Sequence, residues 1–318
     1  WFMGDMDRVA KCRLWIGLGA ILLLAATLVL GTNTYGSTNW IRIGPLSVQP
    51  SEFVKIAFIF VGTSTLDRLQ TKKNIGEFLI FTGACIGLLA LMPDFGMALI
   101  LFATFLIIAF MRSGSVRTIA LVLAGAVLAV FVVLTVKPYV LDRFMGWGHV
   151  WEHINDNLGY SQTRTLTYLA SGGLFGVGLG NSYLASVFAA DSDLVFGLLC
   201  EEQGLLLGLV ILLAFVLWIF YARSDVTRSR STFFSIAACA AAGMLLFQTA
   251  LNVFGATDVL PMTGVTLPFI SSGGSSMISV WGMMAFLKAS DERTYAARRA
   301  SRRSLREEAP PPPSRTPQ

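Results

Sequence analysis

Apolar runs long enough to cross a lipid bilayer recur along this 318-residue chain, and they constrain its fold more than any other feature. Hydrophobic residues make up 54% of the sequence and charged residues only 14%, whereas soluble domains carry about 25% charged residues. A membrane-spanning helix needs about 20 mostly apolar residues. The sequence therefore predicts an all-α, polytopic membrane protein with about eight spans, at residues 14–30, 50–66, 77–92, 96–111, 118–136, 204–221, 232–254 and 270–287.

Positive charge alternates between the connections that join these runs. Nineteen of the 24 Lys and Arg residues fall in one set of segments, namely 1–13, 67–76, 112–117, 222–231 and the stretch from Lys288 onward. The connections of the other set carry one Lys or Arg at most, except the long segment 137–203. Because cytoplasmic loops are enriched in Lys and Arg, we predict that both termini are cytoplasmic. The net charge of +5 then reflects membrane topology and predicts no nucleic-acid partner.

The chain divides into a membrane domain, residues 1–290, and a tail, residues 291–318. The tail is basic and then proline-rich, ending in EEAPPPPSRTPQ, a composition that predicts a disordered cytoplasmic segment. The membrane domain contains a long outer segment, 137–203, and loops longer than about 12–15 residues are usually functional or disordered. Within it, WGHVWEH at 147–153 predicts a short helix at the membrane interface.

Metal and disulfide chemistry have weak support in the sequence. The four cysteines form no C-x-x-C pair, so a zinc or disulfide framework is not predicted. His149 and His153 stand four residues apart, but no third ligand is suitably spaced. We therefore assign no metal ligands.

A carboxylate and an amine open the second apolar run, in the segment VQPSEFVK at 48–55. Glu52 and Lys55 are three residues apart, so a helix places them on one face. A charge near the bilayer centre costs about 2.5–3.5 kcal/mol. The pair must therefore neutralise itself in a packing salt bridge, face a wet cavity, or take part in chemistry.

Further acids lie on the side opposite the basic connections. Asp94 sits in PDFG, where it forms turn chemistry or a functional site. ADSDLVFGLLCEEQG at 190–204 places two aspartates before a helix. Asp193 is either a helix cap or a general base that faces an outer cavity. If that helix is continuous, Glu201 lies about 80° from Asp193 and Glu202 about 180° from it.

Two segments are rich in glycine. GGLFGVGLGNS at 172–182 lacks the ending of a phosphate-binding P-loop, so it is either a tightly turned connection or a close backbone approach to a phosphate-bearing ligand. DVLPMTGVTLPFISSGGSS at 258–276 predicts non-helical backbone before the last span. Such backbone survives at membrane depth only where it is buried in protein or lines a cavity.

Five segments in order resemble the SEDS family of bacterial envelope proteins, the family of RodA and FtsW: NWIRIGPLSVQPSEFVK, MPDFGMAL, SGGLFGVGLGNS, DSDLVFGLLCEEQG and LPMTGVTLPFISSGGSS. The resemblance covers nearly the whole chain. It implies a glycosyltransferase-C-like helical bundle, usually of ten spans, with a large outer loop before the eighth. Since the long loop follows the fifth run here, we expect the first two family spans to be absent from this sequence.

The resemblance implies a peptidoglycan glycosyltransferase that polymerises lipid II at the outer membrane face with inversion. The family's catalytic aspartate maps onto Asp193, and Asp191 competes with it because AADSD departs from the usual neighbourhood. Met92 replaces a glutamine before PDFG, and Ser272 stands where a tyrosine is common. The side chains expected to bind substrate are Glu52, Lys55, Asp94, Arg164, Glu201, Glu202 and Ser275.

The resemblance also implies protein partners, and two other functions remain as alternatives. The family works with a class B penicillin-binding protein and other elongation or division proteins. No cofactor is certain, and a divalent cation at the outer acids is an alternative to Lys55 and Arg164 as the source of positive charge. The alternative functions are a flippase or transporter for lipid II, or a scaffold. Charged residues crowd the outer half of the spans, which favours chemistry over transport.

Overall fold

The computed structural model describes residues 6–34, 37–44, 46–67, 72–114, 146–156, 159–228 and 232–291, with a few positions between 116 and 127. The predicted fifth span, 118–136, and the predicted tail lie almost entirely outside these residues.

Helices account for most of the described chain. The longer ones are α1 at Met6–Leu30, α2 at Pro50–Asp67, α3 at Lys72–Leu91, α4 at Phe95–Ser113, α7 at Leu205–Arg228, α8 at Thr232–Ala256 and α9 at Gly274–Ser290. Each coincides with a predicted span. The shorter helices α5, Tyr160–Gly172, and α6, Val195–Gln203, lie within the long segment.

Four helices of the described chain are long and apolar enough to cross a membrane: Cys12–Leu30 in α1, Phe95–Ser113, Leu205–Ser224 and Thr232–Ala256. The other predicted spans differ for local reasons. The apolar part of α3 is the shorter stretch Gly76–Leu91. Helix α9 has 17 residues, and α2 carries Glu52 and Lys55. The architecture is that of a multi-pass helical membrane protein.

Helix α8 lies at the centre of the bundle, where it contacts α2, α4, α7 and α9. A run of buried alanines lets its neighbours approach closely, and Ala237, Ala238 and Ala241 have no exposed surface. Aromatic rings fill the space between α2 and α3, where the Phe58 ring lies 5.5 Å from that of Phe78. The core is therefore apolar over most of its length.

A small antiparallel sheet, which the sequence analysis did not predict, joins α1 to α2. Strands β1, Thr32–Thr34, β2, Ser37–Ile43, and β3, Leu46–Val48, pair in that order. The pairing sets Thr32 opposite Trp40 and Arg42 opposite Ser47. The signal was present as β-branched residues around the turn at Gly44.

One end of the bundle gathers the irregular segments, and we call it the loop end: residues 31–49, 92–94, 173–194 and 257–273. Hydrogen bonds hold these segments together. Asn39 Nδ2 lies 3.3 Å from Asp94 Oδ2, and the main-chain N–H of Ser272 donates to the carbonyl of Asp191 at 2.9 Å. Asp94, Asp191 and Asp193, three of the acids singled out from the sequence, therefore meet at this end of the protein.

The predicted helix at 147–153 was wrong. Residues 146–156 form successive turns in which main-chain N–H groups, such as that of Glu152, bond to the carbonyl three residues earlier. Gly148 has φ +73°, which interrupts a helix. The segment is fixed to the loop end instead: Trp147 Nε1 donates to the carbonyl of Val259 at 3.2 Å, and Gly148 N donates to Asp258 Oδ1 at 3.3 Å.

Candidate active site

Asp193 lies in a tight turn that leads into α6. Ala189 adopts φ 58°, and its carbonyl accepts hydrogen bonds from the N–H groups of Asp193, at 2.9 Å, and Leu194, at 3.2 Å. The residue at the cap position of α6 is Leu194, which makes no side-chain cap bond. The interpretation of Asp193 as a helix cap was therefore wrong, and its carboxylate is free for another role.

The surroundings of Asp193 disfavour its charge. Burial raises the pKa of Asp193 to about 6, a hydrogen bond with Ser192 opposes that rise, and the charges of Asp191 and Asp94 add to it. The carboxylate faces Gly264, where an added Cβ would lie 3.3 Å from Oδ2. A general base works best when its pKa lies near the operating pH. Asp193 is therefore the candidate base of this site.

Asp191 is held differently from Asp193. Its carboxylate accepts a short hydrogen bond from the hydroxyl of Ser272. The neighbouring Ser271 hydroxyl donates to the carbonyl of Ser192 at 2.5 Å. The two serines therefore fasten the aspartate turn to the segment before α9, and Asp191 is the member of the pair that anchors it.

Asp94 caps α4. Its side chain accepts from the N–H of Met97 at 3.2 Å, so the predicted turn role is confirmed. Burial raises the pKa of Asp94, the bonds from Met97 and Asn39 oppose the rise, and the charge of Glu52 adds to it. Asp94 thus caps α4 and also belongs to the acidic cluster, by which we mean Asp94, Asp191 and Asp193.

Glu52 and Lys55 form a buried ion pair, with Lys55 Nζ 2.7 Å from Glu52 Oε2. Lys55 has no exposed surface and Glu52 is 2% exposed. Lys55 Nζ also donates to Gln248 Oε1 of α8 at 2.9 Å, and Ser279 Oγ of α9 donates to Glu52 at 2.9 Å. Of the predicted alternatives, the structure supports mutual neutralisation inside the bundle.

The glycine-rich segment 172–182 packs directly on the end of α6. The N–H of Val177 donates to the carbonyl of Glu201 and that of Gly178 to the carbonyl of Glu202, both at 2.9 Å. A Cβ on Gly176 would lie 2.2 Å from the Glu202 carbonyl oxygen. The glycines are needed for this backbone contact, which confirms the tight-turn interpretation.

The two glutamates at the end of α6 have unequal surroundings. Glu201 is fully buried and accepts from the N–H groups of Tyr183, at 2.8 Å, and Leu184, at 3.0 Å, as well as from the Ser182 hydroxyl. Glu202 accepts from the N–H of Gly180 at 3.1 Å and is only half-buried. Glu201 is therefore a structural anchor, and Glu202 is the one open to a ligand.

The remaining predicted residues, Arg164 and Ser275, have contacts of their own. Arg164 stacks over the Tyr160 ring, 5.4 Å from its centroid. The Ser275 hydroxyl accepts from the N–H of Gln49 at 3.1 Å and joins α9 to the start of α2. The structure thus brings Asp94, Asp191 and Asp193 together at the loop end, while Glu201 and Glu202 lie at the far end of α6. Within the described ranges, no three His, Cys, Asp or Glu side chains are grouped to hold a metal ion.

Two residues that the sequence analysis missed complete the site. Asn252 of α8 donates to the carbonyls of Asp193, at 2.9 Å, and Val265, at 2.8 Å. Gln248, one turn earlier, donates to the carbonyl of Thr266 at 2.8 Å. They are the two side-chain amides of a largely apolar helix and stand four residues apart. That spacing, which places both on one face, was the available signal.

Fold and site together define a class of protein: a multi-pass helical membrane protein with a half-buried carboxylate site at one end. A family model described as "Cell cycle protein", covering FtsW, RodA and SpoVE, matches residues 2–295. The chain belongs to this family, the SEDS family.

Relatives with curated names agree with this assignment. A protein of Wigglesworthia glossinidia brevipalpis, named probable peptidoglycan glycosyltransferase FtsW, is 32% identical over 91% of this chain and 77% of its own length. A protein of the same name from Tolumonas auensis is 35% identical over 87% of this chain and 75% of its own length.

Solved structures share the fold. A chain from a structure titled "Structural coordination of polymerization and crosslinking by a peptidoglycan synthase complex" matches with a TM-score of 0.72 at 26% identity, over 91% of this chain and 83% of that chain. Thermus thermophilus RodA matches with a TM-score of 0.63 at 24% identity, over 91% of this chain and 80% of that chain.

Proposed function

We propose that this protein is a peptidoglycan glycosyltransferase that polymerises lipid II at the outer face of the cytoplasmic membrane, for cell elongation or division. Family membership and the names of its relatives support the activity. The observation that carries the proposal is Asp193. It is a half-buried carboxylate that does not cap α6, and its pKa is raised to about 6.

The proposed reaction joins two lipid-linked sugars. Asp193 takes the proton from the 4-hydroxyl of the acceptor sugar, and that oxygen attacks the anomeric carbon of the donor sugar. The bond between the anomeric carbon and the pyrophosphate oxygen breaks as the new bond forms, and its electron pair leaves with the polyprenyl pyrophosphate. Attack opposite the leaving group inverts the anomeric centre. The substrate's lipid tail requires a site that opens to the bilayer.

The leaving pyrophosphate needs positive charge to stabilise it. Arg164 is partly exposed and stacks on Tyr160, so binding a ligand there would break no buried ion pair. Lys55 is sealed between Glu52 and Gln248, so its contact with substrate would require the pair to open. We therefore assign stabilisation of the leaving pyrophosphate to Arg164, with Asp94, Glu202 and Ser275 as polar contacts to substrate.

We further propose that the loop end faces outward, that both termini are cytoplasmic, and that a class B penicillin-binding protein is the partner. The positive charge of the opposite connections supports the orientation. The similar chain in the peptidoglycan synthase complex supports the partner, since that structure's title couples polymerisation to crosslinking.

A lipid II flippase is disfavoured by the distribution of polar groups. A flippase needs a polar path that reaches both faces of the membrane. The acidic cluster lies at the loop end, whereas the opposite half of α8 packs through buried alanines. In the half of α2 that lies away from the loop end, the Thr63 hydroxyl bonds to the helix's own backbone, at Ile59 O.

The test is polymerisation of labelled lipid II by the purified protein together with its class B penicillin-binding partner, compared with Asp193→Ala. Glycan from wild type and none from an equally well-folded Asp193→Ala establishes the transferase and its base. Equal polymer from both proteins removes Asp193 from the mechanism and turns attention to Asp191. Absence of polymer from both contradicts the proposed activity and makes lipid flipping the next assay.

A further inference from the structure

Asn252 is a buried side chain whose hydrogen-bond donors are both used on main-chain carbonyls. It is 3% exposed, and Nδ2 donates to the carbonyls of Asp193 and Val265 at 2.9 and 2.8 Å. Its Oδ1 meets no hydrogen-bond partner among the described residues. A flipped amide would set that oxygen against two carbonyl oxygens, so the contacts fix its orientation. Asn252 therefore clamps Asp193 and Val265 to each other.

The clamped segment is held at a second point. Gln248 Nε2 donates to the carbonyl of Thr266 at 2.8 Å and to its hydroxyl at 3.1 Å. Gln248 Oε1 accepts from Lys55 at 2.9 Å. Val265 and Thr266 are neighbours in a stretch with no regular secondary structure. One face of α8 therefore contacts both features: Gln248 bonds to Lys55 of the ion pair, and Asn252 bonds to the aspartate turn.

This segment also forms one side of the Asp193 site. Gly264, beside Val265, has φ +67°, and an added Cβ there would lie 3.3 Å from Asp193 Oδ2. A shift of residues 264–266 relative to α6 would therefore change the space around the carboxylate. The clamp prevents that shift because it bonds the carbonyl of Asp193 and that of Val265 to one amide.

We propose that Asn252 is a positioning residue for Asp193, holding the aspartate turn against residues 264–266 so that its carboxylate keeps a fixed location and a dry surrounding. This inference rests on the proposed function, since it takes Asp193 as the base. Asn252 acts through the main chain of Asp193 and makes no contact with substrate in this role.

Positioning predicts effects that packing alone does not. Without the clamp the carboxylate gains water, which lowers the pKa of a buried acid. The charges that act on Asp193 are those of Asp191 on its own turn and Asp94 at the start of α4, and neither is altered by the substitution. A misplaced catalytic group lowers kcat, and errors of about 1 Å cost on the order of 100-fold.

The experiment compares Asn252→Ala and Asn252→Leu with Thr249→Val in lipid II polymerisation per folded molecule. Asn252→Leu keeps the branched shape of the side chain but removes its hydrogen-bond donors. Thr249 is a matched control because it is also buried in α8 and its hydroxyl bonds only to the helix carbonyl of Leu245, at 2.8 Å. We expect both Asn252 variants to lose about 10- to 100-fold in kcat, with KM for lipid II nearly unchanged. The acid limb of the Asn252→Ala rate profile should move to lower pH.

Asp193→Ala is assayed in parallel to separate the two hypotheses. If Asp193→Ala is inactive and the Asn252 variants match Thr249→Val in kcat and pH profile, the positioning role is overturned while the proposed function stands. If Asp193→Ala remains active, the assignment of the base fails, and the positioning role fails with it. Loss of folded protein without change in kcat per folded molecule also overturns the inference.

Discussion

Two carboxylates of this protein, the buried Glu52 and the half-buried Asp193, have opposite surroundings. Glu52 has a cation 2.7 Å away and a serine donor besides, so its charge is matched inside the bundle. Asp193 has a neutral donor and two acidic neighbours, so its charge is opposed. Strongly perturbed carboxylates cluster at functional sites, although structural networks perturb them as well. The contrast is in line with a structural role for Glu52 and with the proposed role of Asp193 as the base.

Asp193→Asn should abolish polymerisation and raise the thermal stability of the protein. The pKa of Asp193 rises from 3.8 to about 6 on folding, so the folded state binds a proton more tightly than the unfolded state. Stability is therefore lost as pH rises from about 4 through 6. An uncharged amide avoids this loss, so the melting temperature at pH 7.5 should increase, and the gain should fade below pH 4. Asp191→Asn is the comparison, and a lower melting temperature for Asp193→Asn at pH 7.5 would contradict the burial argument.

The Glu52–Lys55 pair should be more sensitive to single than to double substitution. Removal of one partner leaves an uncompensated buried charge, which costs about 3–5 kcal/mol. We expect Lys55→Met and Glu52→Gln each to lower the melting temperature of the protein in detergent. The double variant should recover part of that lost stability. Glu77→Gln is the control because the Arg13–Glu77 pair, 3.2 Å apart, is partly exposed, and such pairs contribute up to about 1 kcal/mol. Additive losses in the double variant would argue against neutralisation.

At the scale of elements, α6 and the glycine-rich segment form one unit. The segment begins where α5 ends and crosses the end of α6, and the N–H of Leu205, at the start of α7, donates to the carbonyl of Gly173 at 2.9 Å. The Glu201 carboxylate accepts hydrogen bonds from the N–H groups of Tyr183 and Leu184 and so holds the start of the 3-10 turn Leu184–Ser186. This unit supports the turn that carries Asp193, so the precision of the site depends on backbone contact between two short elements.

Alanine at Gly176 should disrupt this unit, whereas alanine at Gly180 should be tolerated better. Both glycines have positive φ, +82° and +77°, but a Cβ at Gly176 would lie 2.2 Å from the Glu202 carbonyl, while nothing lies within 4 Å at Gly180. Gly180→Ala should cost about 1–2 kcal/mol for the left-handed backbone alone. Gly176→Ala should cost more and lower both the folded yield and the polymerisation rate. Equal melting temperatures for the two variants would show that the close approach is not required.

The described charges differ in sign between the two ends of the molecule. The acids, the sheet and the glycine-rich segments gather at the loop end, whereas Arg112 and Arg223 lie near the opposite ends of α4 and α7. This arrangement suits a protein that handles a charged headgroup on one side of the membrane while its helices contact lipid.

Cysteine labelling in intact cells tests the proposed orientation. Leu179 is 74% exposed at the loop end, and Arg223 is exposed near the opposite end of α7. A membrane-impermeant maleimide should label Leu179→Cys in whole cells and Arg223→Cys only after lysis, because positive connections face the cytoplasm. The parent protein gives the background from its native cysteines. The reverse pattern would place the loop end inside.

The sequence allowed helices at seven of the eight predicted spans, the acids and the Glu52–Lys55 pairing to be predicted, because each depends on local spacing or composition. The turn at Asp94 followed from PDFG, whereas its capping of α4 is seen only in the structure. The roles of Asn252 and Gln248 were not foreseen because their partners, Asp193 and residues 265–266, are brought to α8 only by the fold. Helix α5 was missed because it is polar and lies in a segment that resembled a loop. The turns at 146–156 were mistaken for a helix because their hydrogen bonds to Asp258 and Val259, residues far away in the sequence, cannot be read from local spacing.

The hydroxyl donor to Glu52 also sets an order of events during synthesis. The ion pair closes within one helix, but Ser279 lies 227 residues further along the chain, and Asp191 receives Ser272 from the same late stretch. Helix α2 leaves the ribosome long before α9, since chains emerge from the N-terminus. The site is therefore unfinished until α9 has been inserted. Under the proposed function, a nascent chain cannot consume the membrane's lipid II before α9 has reached the membrane.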